Sequence, residues 1–576
     1  MKKIYLSAAA LLACSFLNAQ SAFTWDVTSY KGAFPVTDNT PATDWTSGWA
    51  NWDPENTNYA APTSTLSGDV TTNTSISGVV YLDGFVHVTN SAILTIAPGT
   101  VIRCKMTDAS LTPGTLIITR GAKIMAQGTA SQPIVFTSIQ SVATGRNPGD
   151  WGGVIICGNG LINTGGISTN PNVSKIEGFV TSDPKRYYGG TNDADNSGVL
   201  SYVRIEFAGV ALDPLQTNSE INGLTFGAVG SGTKIDHIQV SFSGDDSYEW
   251  FGGTVDAKNL ISYRGTDDDF DTDFGYRGRV QFGLGVKDPD IWDALAGGAS
   301  NGFECDNNGT SPYLALPLTK AVFSNMTLIG AKGDGTVYGA GTLPTGETFE
   351  CGAHLRRNMA QSIMNSVFVG QEKGLRYQNA VTQDNLNSPS TADSAAFFGS
   401  NILTSGIAST YITESATVFT QAWYHTFATA NNVDTASTTT QVNFVNAFTA
   451  LGNTPDYRLS ATSTASAGAA FNSPAFVGGF SGVNEVSKLV ANSFVVYPNP
   501  AAQNTNISFN ISERNDVNVN VYDVLGNLVS SLNQNSSFEK GSHTINLNTA
   551  NFSSGIYTIS LEVNGLKETK KLIITH

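Results

Sequence analysis

The stretches "HIQVSFSGDDSYEWFGG" (residues 237–253) and "NLISYRGTDDDFDTDFG" (residues 259–275) align without a gap at an offset of 22 residues. Asp245 falls on Asp267, Asp246 on Asp268, Tyr248 on Phe270, Glu249 on Asp271 and Gly253 on Gly275. A second pair, "LTIAPGTVI" (94–102) and "LIITRGAKI" (116–124), aligns at the same offset, and "YVRIEFAG" (202–209) is a looser copy. Short apolar strands ending in glycine turns cannot bury a face alone. Repeated at a constant period, they stack so that each unit covers the next. A unit of this length suits one coil of a parallel β-helix, with equivalent residues about 4.8 Å apart. The expected fold class is all-β: a right-handed parallel β-helix solenoid followed by a small antiparallel β-sandwich. An array of sandwiches is the alternative, and the constant spacing argues against it.

Composition agrees. Of 576 residues only 14% are charged, against about 25% in ordinary globular domains, and 58 are glycine. Long helices lack their usual Glu, Lys, Ala and Leu here. The net charge of −16 disfavours nucleic-acid binding, which needs a basic footprint. It fits an extracellular protein with divalent cations nearby.

The N-terminus reads as a signal peptide over 1–19: Lys2 and Lys3, then the apolar run Ile4 to Leu17, then Ala19 before Gln20. A lipoprotein reading, with Cys14 as acceptor, competes, although Leu12 suits it poorly. No later apolar run approaches the ~20 residues of a membrane span. Residues 20–72, with Trp25, Trp45, Trp49 and Trp52, read as an irregular extension that caps the open first coil. Their tryptophans are expected to pack there rather than stack on sugars. The β-helix passenger is placed at 73–480 and a polar linker at 481–492. Export permits disulfides, and Cys104, Cys157, Cys305 and Cys351 remain after cleavage. Cys305 in "GFEC" and Cys351 in "TFEC" occupy matching contexts and are the candidate bridge. Four buried thiols are the alternative.

Residues 493–576 alternate apolar and polar positions in short strands between Asn, Gly and Ser turns, as in a small β-sandwich. Tyr497-Pro498-Asn499-Pro500, Tyr522-Asp523 with Leu525-Gly526-Asn527, Gly555-Ile556-Tyr557 and Lys570-Lys571-Leu572-Ile573-Ile574 follow in order. This arrangement closely resembles the type A C-terminal sorting domain of the Bacteroidetes type IX secretion system. The resemblance implies entry to the periplasm, recognition by the outer-membrane translocon and its shuttle protein, and removal of the tail by a sortase-like peptidase. The passenger is then released or attached to surface lipopolysaccharide, so the expected location is extracellular or cell-surface. "GTLIITRGAKIMAQGTASQPIVFTS" (114–138) is similar to β-helix coils of bacterial surface proteins. The acidic-aromatic coils, with "NGFE" at 301–304, resemble an uncharacterised secreted Bacteroidetes family.

The repeat stacks Asp245, Asp246 and Glu249 below Asp267, Asp268 and Asp271. Carboxylates about 5 Å apart repel by roughly 1 kcal/mol in water and several times that near protein. A cation, a proton or a basic neighbour must relieve this. Three readings stand. The first is a calcium site built from Asp245, Asp246, Glu249, Asp267, Asp268, Asp269, Asp271 and Asp273, since Ca²⁺ takes six to eight oxygen ligands. It is no EF-hand, because position 280 is Val where the bidentate Glu belongs. The second is a solvated turn with Arg264, Arg277 and Arg279 as counter-charges, and Tyr248, Trp250, Phe251, Phe270 and Phe274 packed against the core. The third is a catalytic set, by analogy with pectate lyases and polygalacturonases, which share the fold; analogy of fold is a weak warrant for function. The six histidines are scattered in sequence. The expected role is adhesive, glycan-binding or surface-structural, with surface lipopolysaccharide or glycans as partners and calcium as the candidate bound ion. The alternative is a polysaccharide lyase or glycoside hydrolase acting on an acidic polysaccharide.

Overall fold

The structure is a computed structural model and describes residues 23–37, 44–108, 111–164, 170, 172–179, 182–212, 219–294, 298–333, 343–371, 373–387, 396–403, 411–413, 442–449, 453–477, 494–511, 514–523, 527–563 and 566–576. The signal peptide at 1–19 and the linker at 481–492 lie outside them.

One continuous parallel sheet winds from Ser64–Val70 to Tyr411–Thr413, each strand hydrogen-bonded to the equivalent strand one coil away. The acidic repeat holds its register: Tyr248 pairs with Phe270, Glu249 with Asp271 and Trp250 with Thr272. Long strands turn a corner at a single left-handed residue: Tyr202, His237, Asn259, Phe282 and Asn325, with φ between 51° and 64°. That backbone costs about 1–2 kcal/mol for a residue with a Cβ. The rings at these corners recover part of it by stacking; Tyr202 and His237 lie 4.4 Å apart, nearly parallel. Inside the solenoid, aromatic rings also stack coil on coil, Tyr248 on Phe270 and Phe270 on Phe303, each at 5.5 Å.

Three boundary expectations change. Ser64–Val70 pairs in parallel with Val79–Val88, so residues 64–72 belong to the solenoid and not to the extension. The described residues of 443–449 and 453–477 are not coils. They form an antiparallel hairpin, Phe444–Asn446 with Asp456–Leu459, and a return segment. The extension does not cover the first coil either. Residues 23–37 and 44–60 run along the flank of the solenoid, where Asn325 donates to the carbonyls of Tyr30 and Gly32, Gln239 exchanges bonds with Asn51, and Arg103 donates to the carbonyls of Tyr59 and Ala60. Stacked strands leave polar side chains and corner backbone along that flank, and an irregular chain satisfies them better than it could cover an end. The tryptophans pack on this flank and not in a cap: Trp49 and Trp52 are buried, and Trp45 stacks on Phe34 at 5.1 Å. Residues 442–449 and 453–477 lie beside this N-terminal extension, through the bridge of Val36 to Leu459 and the bond from Lys31 N to the Ala465 carbonyl.

The 94–124 alignment does not describe neighbouring coils. Leu94 stacks on Ile124 and Leu116 on Val154, because the matched segments occupy different sides of the coil. Coil length also varies. Phe270 pairs with Phe303 and Phe303 with Ala353, so long loops are inserted between these coils on the side where the acidic residues emerge.

The C-terminal unit packs a three-stranded antiparallel sheet (Val495–Tyr497, Asn504–Ile511, Gly541–Asn548) on a four-stranded one (Leu528–Phe538, Asn515–Tyr522, Gly555–Val563, Leu566–Ile574) around Phe509, Val519 and Leu561. Among the described residues no helix is long and apolar enough to cross a membrane.

Candidate metal centre

The strand Phe270–Asp273 alternates in the way a sheet requires. Phe270 and Thr272 point inward and are buried, while Asp271 and Asp273 emerge on the outer face. Register then builds columns. Glu249, Asp271, Glu304, His354 and Arg376 follow one another coil by coil. Beside them run Asp246, Asp268 and Asn301, each lending an oxygen to the next coil's backbone. Asp246 Oδ1 accepts from Asp268 N at 2.9 Å, Asp268 Oδ1 from Asn301 N at 2.6 Å, and Asn301 Oδ1 from Cys351 N at 3.0 Å. One carboxylate oxygen of each aspartate is thereby fixed, which aims the other outward.

The loops wall this face. Ile162, Ile176, Phe179 and Tyr188 cover its lower end, packed on Ile155 and Phe251. The same wall brings Glu177 into a hydrogen bond with Glu249. Asn222, 1% exposed, donates its Nδ2 to Glu249 Oε2. Asp245 and Asp267 are half-buried at the rim.

Burial, then neighbouring acids, pushes these carboxyls up. For Asp246 the neighbours are Asp245, Asp271, Asp267 and Asp268; for Glu249 they are Glu177, Asp271 and Asp246. Burial followed by Glu304 and Asp268 raises Asp271, and burial followed by Asp306 raises Asp273. Asp245, Asp267 and Asp268 move the same way, again with burial first. Glu304 is the exception. Burial opposes its ionisation, but His354, Arg356 and Arg357 outweigh it and hold the carboxyl down.

Several expected roles are corrected. Asp269 is no part of the outer cluster. It is fully buried, with Ser262 Oγ at 2.7 Å and Lys287 Nζ at 3.2 Å. It lies against Gly285, where a Cβ would come within 2.4 Å of its Oδ2. The chain turns just before Phe270, so the strand's alternation does not extend to position 269. Arg264, Arg277 and Arg279 do not neutralise the cluster: they pair with Asp288 and Glu55, with Asp193, and with Asp256. The bases that reach it are Lys287, which also donates to the Asp267 carbonyl, and Arg356 and Arg357, which hold Asp306 at 2.7 and 2.6 Å. Cys305 and Cys351 are free buried thiols, as are Cys104 and Cys157. The two "FEC" contexts are out of register, since Cys305 pairs with Leu355 and Phe303 with Ala353.

The remaining carboxylates suit a cation. Three sets each place one oxygen per residue within 4.8 Å of the others: Asp245, Asp246 and Asp267; Asp246, Glu249 and Asp271; Asp268, Asp271 and Glu304. Ca²⁺–oxygen bonds of about 2.3–2.6 Å allow ligands on one ion to lie up to about 5 Å apart. Asp246 and Asp271 each belong to two sets, so neighbouring positions share ligands. Asn222 Oδ1 and Asp271 Oδ1 are buried atoms without a hydrogen-bond partner, as oxygens awaiting a cation would be. Sequence reasoning missed Glu177, Asn222, His354, Arg356 and Arg357. Glu304 follows Phe303 as Asp271 follows Phe270, a signal hidden by the intervening loop.

In the C-terminal unit the sorting residues converge on the last strand. Asn499 donates to the Lys571 carbonyl at 2.6 Å and accepts from Ile573 N at 2.8 Å, which ties exposed Tyr497, Pro498 and Pro500 to it. Tyr557 pairs with Leu572 and Gly555 with Ile574. Asp523, next to Tyr522, closes its turn by accepting from Asn527 N and Nδ2, both at 2.9 Å. Lys570 and Lys571 are exposed, and Gly526 lies outside the described residues.

A family profile described as a pectate-lyase like beta helix domain matches residues 65–449, and one described as a secretion system C-terminal sorting domain matches residues 495–575. No curated protein matches the chain. The sorting tail identifies cargo of the type IX secretion system, so the chain interacts with that machinery and is exported to the cell surface or the extracellular space.

Proposed function

The chain belongs to the pectate-lyase-like β-helix family, and we propose that its passenger is a calcium-loaded surface β-helix with an adhesive, glycan-binding or structural role. The carrying observation is the set of three overlapping carboxylate triads, built by consecutive coils and left without enough basic partners. A divalent ion at those positions cross-links coils that are otherwise held by backbone bonds and core packing. It also leaves coordination sites facing outward, where an acidic glycan could complete the shell. In this reading export proceeds through the periplasm by way of a signal peptide, the translocon and its shuttle protein. A sortase-like peptidase then removes the tail, and surface lipopolysaccharide is one acceptor. Melting of the full chain with calcium and with chelator tests the metal. Calcium is expected to raise the transition in wild type and to do so far less in Asp246→Asn/Asp271→Asn; an unchanged wild-type transition overturns the reading.

One observation favours a second reading, a polysaccharide lyase or glycoside hydrolase on an acidic polysaccharide: Arg356 and Arg357 converge on Asp306 beside the acidic column. Against it, Tyr248, Trp250, Phe251 and Phe270 are buried and offer no sugar platform. Release of reducing sugar from acidic polysaccharides, lost in Asp271→Asn, would favour the enzyme.

A further inference from the structure

Four arginines are buried among the described residues, and one of them lacks an oxygen acceptor. Arg103 donates to the carbonyls of Tyr59, Ala60, Ser138, Ile139 and Gln140. Arg146 donates to those of Pro54, Thr57 and Gln140, and Arg264 pairs with Asp288 and Glu55. Arg186, 8% exposed, makes one side-chain hydrogen bond, from Nε to His87 Nε2 at 3.3 Å. Its Cζ lies 4.1 Å from the centre of the Phe179 ring and 4.7 Å from that of Phe85. Those rings meet at 74°, so the guanidinium sits in the corner between them. The acids close by are engaged by Lys185: its Nζ lies 3.1 Å from both oxygens of Asp69, and its backbone N donates to Asp183 at 3.0 Å. Burial pulls the Arg186 pKa down, and Asp183 offsets only part of this. Burial, then Lys185 and Arg186, holds His87 at about 4, so at neutral pH its ring accepts from Nε and fixes the plane of the fork. Nη1 and Nη2 are left without a partner, and neither is sealed from solvent.

We infer that Arg186 anchors an oxyanion site, where Nη1 and Nη2 take a carboxylate, sulfate or phosphate group of an extracellular ligand. A guanidinium cannot shed its proton, and a charge held out of water without a partner costs several kcal/mol. Packing on aromatic faces returns about 2 kcal/mol of that. Paired N–H···O bonds to an oxyanion supply further compensation, and the planar fork matches that geometry. His87 and the two rings already hold the side chain in one place, so binding orders little that is not ordered beforehand. Lys185 adds a second positive charge at the rim, with its side chain 35% exposed. Strand register puts His87, Ile117, Ile155, Thr225 and Glu249 in one outer column. The site therefore lies four coils below Glu249, about 19 Å away on the same face. None of its residues belongs to the carboxylate triads, so it stands whether or not these hold a cation.

The full chain, kept in chelator, is melted in sulfate, phosphate or acetate against chloride at equal ionic strength. At least one of the three is expected to raise the wild-type transition above its value in chloride. A response to acetate assigns the site to carboxylates, and a response to sulfate or phosphate assigns it to tetrahedral esters. Arg186→Met should abolish the shift. Arg186→Lys keeps the charge but not the fork, and should lose about tenfold in affinity for the same anion. No wild-type response beyond chloride, or an equal response in Arg186→Met, overturns the inference. A melting shift with calcium but with none of the anions also overturns it and leaves the calcium reading standing. If neither variant folds, phenylglyoxal labelling of wild type decides, read by peptide mass spectrometry. The anion should then protect Arg186, and equal labelling with and without it overturns the inference.

Discussion

Asp271→Asn is expected to change the sign of its effect with the cation. Asp271 lies in register between Glu249 and Glu304 and belongs to two of the three triads. Two like charges one strand spacing apart repel by about 3.5 kcal/mol at an effective dielectric of 20, so two neighbours set a ceiling of ~7 kcal/mol. Partial protonation lowers this, because burial and the adjacent acids push the Asp271 carboxyl up. Arg356 also screens Glu304. A net relief of about 1–3 kcal/mol is therefore expected in chelator at neutral pH. In saturating calcium the same substitution removes a shared ligand. A tenfold loss of affinity costs about 1.4 kcal/mol, and loss of two sites costs more. Thermal melts followed by near-ultraviolet circular dichroism, in chelator and in millimolar calcium, measure both arms. The variant should melt above wild type without the ion and below it with the ion. Destabilisation of equal size in both conditions would refute this reasoning, since it would mean that Asp271 acts only by packing.

Without cations, the pH dependence follows from the same carboxyls. Their folded-state affinity for protons exceeds that of the unfolded chain, so the folded state binds more protons between the unfolded value of about 4 and the raised folded values. Stability should therefore fall as pH rises through that window, and calcium should flatten the dependence; a melting temperature that rises over that window in chelator would contradict it. Lys287→Met leaves Asp269 charged and buried, and should cost about 3–5 kcal/mol in chelator and calcium alike, read by denaturant unfolding. Trp49→Ala opens the packing of the N-terminal extension on Tyr202 and His237 at a cost of about 3–5 kcal/mol, and limited proteolysis should then cut within that extension. Nonreducing electrophoresis should give one unshifted band for wild type and for Cys305→Ser, since Cys305 has no disulfide partner.

Legibility in the sequence followed locality. The pairing of Glu249 with Asp271 was readable because no loop intervenes and both strands carry the same inside–outside alternation. The next step, from Asp271 to Glu304, was hidden by a loop that changes the spacing but not the register. His354 was invisible for a stronger reason: it is brought to the column by a step of 50 residues from Glu304, and nothing local marks it. The misleading 94–124 match shows the opposite hazard. Different sides of a coil obey the same apolar-and-glycine grammar, so similarity alone does not say which strands stack. Asp269 failed as a ligand because periodicity holds within a strand and stops at the turn, where Ser262 and Lys287 capture the side chain.

Insertions that obscured the register also created the site. On a bare solenoid, Glu249, Asp271 and Glu304 would project into water, where charges at this spacing repel by only about 1 kcal/mol. The loops that deliver Glu177 and Asn222 exclude that water, raise the cost of ionisation and supply further oxygens at the same time. On the proposed calcium reading, repulsion and cation affinity therefore have one origin. A substitution that opens the wall, such as Tyr188→Ala, whose ring stacks on Phe251 near Glu177, should weaken calcium binding although Tyr188 offers the ion no carboxylate. The same change should also lessen the gain in stability on acidification in chelator. If calcium affinity fell while the acid response stayed as in wild type, the two properties would be separable and the wall would act by ligand placement alone.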